Sequence, residues 1–418
     1  MPNHRTTETL KNWLTETLAC RPAAWARLKA SPLGYRLARG AFWSLVGTVL
    51  SRSFTLVSSI LVARMLGKVG MGELGIIQST VGIFSAFAGL GMGLTATKYV
   101  AQYKKENPER AGAMLSLSAL VTWSGGIVMT LAMLILAPWF ARHTIAAPHL
   151  ADLLRVGAWL LLFGAVNGAQ TGALAGFEAF RSIARVNFIG GISSFPLMVG
   201  GAWKFGLTGA VWGLVASQAF NCFLSHLALR SEAARAGVPF RGKLHAQDWS
   251  VLWRFSLPGM LSTLLFGPVN WACNAILVNR PGGYLEMGIF NATMSWFNVV
   301  GFLPGLLSQV LLPVLSSEAA SPSSGRSSKL AILAMKANAL STVPAMLLIA
   351  CASPFIMSLY GPGFREGWLT LVIVVLTAAV VAMHAPAAQS LFAGGHMWAY
   401  FGMCAGWGSL YLAATVVL

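Results

Sequence analysis

Eleven apolar stretches of helical length follow one another along the chain, at about 41–63, 74–96, 113–137, 156–176, 187–203, 209–229, 256–278, 287–308, 337–353, 369–391 and 400–418. A hydrocarbon core of roughly 30 Å takes about 20 helical residues, so a chain patterned this way is built to thread a bilayer repeatedly. Composition agrees. The chain is 56% hydrophobic and 10% charged, against about 25% charged for soluble domains. The predicted fold class is an all-α polytopic membrane protein. Pro196, Gly267–Pro268, Pro304 and Pro344 interrupt spans, which membrane helices tolerate when neighbours satisfy the freed backbone groups.

The net charge of +17 comes from basic residues set between the spans. No basic–aromatic surface module accompanies them, so nucleic acid is not an expected partner. They read as topogenic charge beside anionic membrane lipids, with a cationic path for an anionic headgroup as the sharper reading. With the N-terminus inside, twenty-one Lys and Arg fall in cytoplasmic segments and seven in outer ones, which sets the N-terminus as cytoplasmic. Residues 1–39 form a basic tail. There, Leu10, Trp13, Leu14 and Leu18 have the spacing of a short helix lying on the membrane, and a disordered tail is the alternative. The start lacks the continuous apolar run of a cleaved signal peptide. Five cysteines, at 20, 222, 273, 351 and 404, show no metal-ligand spacing, so neither disulfide nor metal is expected, and no cofactor motif occurs. The longest polar loops, 230–255 and 309–336, are too short for a catalytic domain. No Walker loop, zinc spacing or Ser/His/Asp arrangement points to an enzyme. Gly89-Leu-Gly91 falls within a span and reads as helix packing.

The chain also resembles itself. ILVAR at 60–64 matches ILVNR at 276–280, and ELGIIQSTVGIF at 73–84 matches EMGIFNATMSWF at 286–297. Six spans separate the units, so the halves run in the same direction, related by an axis along the membrane normal. Parallel repeats of this kind place a transport path at the interface between halves. The expected layout is a tail at 1–39, a six-span bundle at 40–229, a cytoplasmic linker at 230–255 and a second bundle at 256–418, around a central cavity.

RG-x-x-W at 39–43, ARMLG at 63–67, GELG at 72–75, FAGLGMGLTATKYVA at 87–101, GALAGFEAFRSIARVN at 172–187, GLTGAVWG at 206–213 and MSLYGPGF at 357–364 carry a family resemblance. The chain resembles the polysaccharide flippases of the multidrug/oligosaccharidyl-lipid/polysaccharide exporter superfamily, the O-antigen flippases above all. The resemblance implies a bacterial inner-membrane protein with two six-helix bundles. Its members move undecaprenyl-diphosphate-linked oligosaccharide units to the periplasmic leaflet for surface polysaccharide such as lipopolysaccharide. It also implies a polysaccharide polymerase and chain-length proteins as pathway partners. The second bundle has five of an expected six spans, because the chain stops at Leu418 inside its eleventh, and the expectation is a truncated sequence. Lipid II flippases share Ser51–Arg52 and Ala63–Arg64. They carry an Arg-Asp pair where this chain has Ser58–Ser59, which counts against lipid II as the substrate.

Arg52 is the leading site residue. It is the one full charge within a span, where it costs at least about 2.5–3.5 kcal/mol. A guanidinium pairs bidentately with phosphate and would hold the diphosphate linkage. A structural arginine satisfied by carbonyls of a broken neighbour is the competing reading. By the 216 offset its repeat partner is Pro268, so the charge has no twin. Asn270 and Asn274 lie one turn apart on the seventh span and would bond sugar hydroxyls or glue helices together. Other span amides, such as Asn187, Asn221 and Asn298, share that ambiguity. His384 sits mid-span as a pH-responsive group or a hydrogen-bonded core histidine. Lys336, near the cytoplasmic mouth of the ninth span, would meet phosphate or serve as an anchor. Trp296 would stack on sugar or pack against lipid. None of the twelve carboxylates is mid-span, which favours an anionic substrate. The function read from all this is a flippase for lipid-linked oligosaccharide working by alternating access. A cation-coupled drug or metabolite antiporter, a polymerase or ligase of the pathway, and a non-transporting scaffold are the alternatives.

Overall fold

In a computed structural model of the chain, residues 32–240, 242, 249, 256, 266–302, 304–305, 324–393 and 397–417 are described. The surface helix expected over Leu10, Trp13, Leu14 and Leu18 lies outside them, as do Cys20, most of the linker beyond Phe240, the first residues of the seventh span and the start of the 309–336 loop. The described elements are helices: α1 (Pro32–Gly89), α2 (Met92–Tyr103), α3 (Pro108–His143), α4 (Ala151–Gly176), α5 (Phe180–Arg235), α6 (Phe266–Val278), α7 (Gly283–Val300), α8 (Ser324–Cys351), α9 (Ser353–Leu359), α10 (Trp368–Ala393) and α11 (Met397–Val417). Single 3-10 turns stand at Pro148–Leu150 and Phe364–Gly367. α1 begins within the stretch expected as tail, and α8 begins within the 309–336 loop.

Six described stretches are long and apolar enough to cross a membrane. Two are too long to cross once. Val49–Tyr103, at 55 residues, would run about 80 Å if straight. Instead α1 bends at Gly67 (φ +69°) and α5 at Gly206 (φ +58°), left-handed backbone that disfavours any residue with a Cβ. Each glycine falls between two predicted spans. In α5 the arms run antiparallel. A Cβ on Gly209 would stand 1.9 Å from the Gly201 carbonyl oxygen, and one on Gly213 would stand 2.5 Å from that of Leu197. Farther from the turn, Ser182 Oγ donates to Glu232 Oε1 at 2.7 Å. Counted by arms, six helical segments precede Phe240 and five, α6, α7, α8, α10 and α11, follow it among the described residues, one for each predicted apolar stretch.

Proline proves milder than expected. Pro138, Pro196, Pro344 and Pro386 lie inside continuous helices. The Gly89-Leu90-Gly91 reading needs correction. Leu90 (φ +45°) and Gly91 (φ +68°) end α1 and start α2, so this segment is a break in the second span and not a packing motif.

The two halves meet hairpin against hairpin. The first arm of α1 runs antiparallel to α7: Ser59 Oγ lies 3.1 Å from Ser295 Oγ, and Arg52 reaches Asn298. The second arm meets α6, where Asn274 Nδ2 donates to Ser79 Oγ at 2.9 Å and Trp271 Nε1 to Thr80 Oγ1 at 3.3 Å. In the repeat the first arm corresponds to α6 and the second to α7, so these contacts exchange as a twofold axis requires. Small residues allow the approach, as is usual where lipid offers no hydrophobic driving force. A Cβ on Gly288 would stand 2.0 Å from the Lys68 carbonyl oxygen. One apolar cluster runs through the interface, with Ile76, Ile77 and Leu154 of the first half and Met287, Ile289 and Tyr360 of the second all buried.

Candidate functional site

A polar cavity of about 410 Å³ opens between the first arm of α1, both arms of α5 and α7. α1 brings Ser51, Arg52 and Thr55; α5 brings Asn187, Gly190, Gly191, Ser194 and Asn221; α7 brings Ser295 and Asn298. The α5 residues 187, 190, 191 and 194 share one helical face, which is small or polar from end to end. That face makes the room. A Cβ on Gly191 would stand 2.1 Å from Ser51 Oγ, and one on Gly190 would stand 2.3 Å from Asn221 Oδ1.

Arg52 therefore faces the cavity. Its Nη1 donates a long 3.5 Å bond to the Asn298 carbonyl, and its Cζ lies 5.0 Å from the centre of the Phe302 ring. Among the described residues no carboxylate pairs with it. A guanidinium carries five donors, and among the described residues the bond to Asn298 alone uses them. Ser51 Oγ donates to the Asn187 carbonyl at 2.8 Å, while the Asn187 and Asn221 amides hold no partner among the described residues. The cavity thus offers one fixed positive charge flanked by neutral donors and acceptors. That arrangement suits a phosphate bearing a hydroxyl-rich group.

The other residues singled out from sequence stand elsewhere. Asn270 donates to the Phe266 carbonyl of its own helix at 2.7 Å, and Asn274 joins the halves through Ser79. His384 Nδ1 lies 2.9 Å from the Val380 carbonyl on an exposed part of α10. Lys336 is exposed on α8. None of the four lines the Arg52 cavity. Trp296 donates from Nε1 to Tyr360 Oη at 3.0 Å inside the protein. Sequence reasoning had named Asn187, Asn221 and Asn298 only as undecided amides, and it missed Thr55, Ser194, Ser295 and the Gly190–Gly191 pair. The spacing of the α5 face was a usable signal for the last group.

At the Lys104 end of α2, outside the spans, Lys104 Nζ pairs with Glu178 Oε1 at 2.9 Å and holds that carboxyl below its ordinary value by hydrogen bond and charge.

Several known proteins share features with this chain. EPS I polysaccharide export inner membrane protein EpsE of Ralstonia solanacearum is 23% identical over 405 residues, covering 94% of this chain and 87% of that protein. Its namesake from Ralstonia nicotianae is 22% identical over 315 residues, covering 74% and 71%. Among solved structures, an inward-facing multidrug resistance MATE family transporter of the MOP superfamily aligns with TM-score 0.62 at 17% identity, covering 90% of this chain and 87% of that one. The outward-facing conformation aligns with TM-score 0.58 over 91% and 84%. These likenesses establish a MATE-like transporter fold. A family model described as polysaccharide biosynthesis protein matches residues 37–318, two thirds of the chain. With that match over the hairpins that build the cavity, the chain is a multi-pass membrane protein that belongs to the polysaccharide biosynthesis protein family.

Proposed function

We propose that this protein moves undecaprenyl-diphosphate-linked oligosaccharide units across the bacterial inner membrane by alternating access, for surface polysaccharide synthesis. The supporting observation is Arg52: a full charge within an apolar span, turned into a cavity between two pseudo-symmetric halves, with no carboxylate paired to it among the described residues. Arg52 neutralises the diphosphate while sugar hydroxyls exchange water for the neighbouring amides and serines. Lys336, His384, Asn270 and Asn274 act outside this cavity, on the path or in the scaffold around it. The N-terminus lies in the cytoplasm, and membrane lipids, a polymerase and chain-length proteins are the expected partners.

The test is Arg52→Ala in a strain whose surface polysaccharide depends on this protein, paired with a vesicle assay of labelled lipid-linked precursor. The expected result is loss of surface polymer and of precursor movement at normal protein level and insertion. Normal polymer in that variant would sink the role of Arg52. Precursor binding without movement by the unaltered protein would favour a scaffold. Cation-driven dye efflux would favour an antiporter.

A further inference from the structure

Two sequence motifs of the chain, ARMLG (63–67) and MSLYGPGF (357–364), lie apart from the Arg52 cavity. The fold brings them to each other. Arg64 Nε donates to the Leu359 carbonyl, and Lys68 Nζ pairs with Glu366 Oε2 at 3.0 Å. Gly363, in left-handed backbone at φ +88°, leaves the space: a Cβ there would stand 2.9 Å from Lys68 Cε. The Lys68 side chain is 18% exposed and that of Glu366 81%, so the lysine is tucked under the loop while the carboxylate stays at the surface. These contacts tie the Gly67 turn of the first half to the α9–α10 loop of the second.

The repeat supplies a reciprocal contact. The 216 offset carries Ala63 to Asn279 and Arg64 to Arg280. Asn279 Nδ2 donates to the Thr144 carbonyl at 2.6 Å, and Tyr284 Oη to that of Ile145 at 2.7 Å. Here the α6–α7 turn of the second half holds the α3–α4 loop of the first. Arg280 instead serves its own half, at the Thr415 and Val416 carbonyls. All of this gathers at the Gly67 end. The Arg52 cavity lies about 22 Å away along the first arm, at 1.5 Å per residue.

We propose that the two reciprocal contacts form a clasp that shuts the Gly67 end of the path between the halves, with Lys68–Glu366 as its releasable ionic part. The clasp opens when the cavity turns to face that end, and this role rests on the alternating-access reading above. An ion pair whose carboxylate stays at the surface is weak and screened by salt, which suits a contact broken in every cycle. The neutral partner contact keeps register.

The experiment uses the full chain with its native cysteines replaced by serine and Ser59→Cys as a reporter. Ser59 lies on the first arm between the clasp and Arg52. A membrane-impermeant maleimide is applied to right-side-out and inside-out vesicles, so that each face is probed. Labelling from the Gly67 side is expected to rise about two- to fivefold in Lys68→Glu, the span that loss of an exposed ion pair produces. It returns to the starting level in Lys68→Glu/Glu366→Lys. Scored on the reporter's own peptide by mass spectrometry, so that the thiols introduced at 68 and 366 do not count, labelling falls to background when Lys68→Cys/Glu366→Cys is oxidised, and recovers on reduction. Unchanged labelling in Lys68→Glu, or equal labelling of the oxidised and reduced double-cysteine protein, would overturn the clasp. Because the readout is access measured without substrate and not transport, failure of the substrate reading and failure of the clasp are separate results.

Discussion

Arg52 stands within an apolar stretch, and the cavity it lines leaves its guanidinium accessible. Among the described residues, one long bond and one ring face are its only contacts of this kind. A lysine at this position would supply a point charge without the planar fork that grips two phosphate oxygens at once. Arg52→Lys is therefore expected to transport at a level between the unaltered protein and Arg52→Ala in the vesicle assay. Glu178 makes a different point. Lys104 lowers its carboxyl pKa from the model-compound value of 4.5. A depressed folded value means that the pair's contribution is present above the ordinary carboxylate range and is lost as pH falls through the lower folded value. Thermal unfolding in detergent, followed against pH, is expected to show a small acid-side loss below pH 4.5 that Lys104→Ala removes. The effect is small because the carboxylate is 70% exposed and screened.

Helical elements here are decided as much by where they bend as by what they bury. Gly67 and Gly206 turn two over-long helices into hairpins that match the bilayer. Gly206→Ala places a Cβ at positive φ and is expected to cost about 1–3 kcal/mol, read as a lower melting temperature in detergent. The apolar spans announced both hairpins, since each glycine falls between two of them. The break at Leu90–Gly91 was not legible in the same way. A Gly-x-Gly inside an apolar run fits close packing as well as it fits a left-handed turn, and periodicity does not separate the two. The α5 face that makes room for Ser51 and Asn221 was partly legible, as small and polar residues at helical spacing. What that face opposes depends on partners distant in the chain, Asn221 against Gly190 and Ser51 against Gly191.

At the scale of the whole molecule, the repeat becomes an interface in which the first arm of α1 meets α7 and the second meets α6. Asn274 belongs to that interface, on Ser79. Hydrogen bonds between membrane helices average about 0.6 kcal/mol, because the separated helices find other partners. Asn274→Ala is therefore expected to lower thermal stability slightly and to leave precursor affinity in a vesicle binding assay unchanged. A tenfold affinity loss would return Asn274 to the substrate path. The sequence by itself determined the class of this protein, its succession of apolar helices, its internal repeat and the arginine set within the first of those helices. Hydrophobic length, a lone charge in an apolar run and a repeat offset are all local or countable properties of a chain. Only the tertiary structure decided that Arg52 faces a cavity, that Asn270, Asn274, Lys336 and His384 do not line it, and that ARMLG and MSLYGPGF close upon each other. In lipid every apolar face is equally at ease outside, so helix rotation and choice of neighbour follow from the fit of glycines, amides and carbonyls between distant segments.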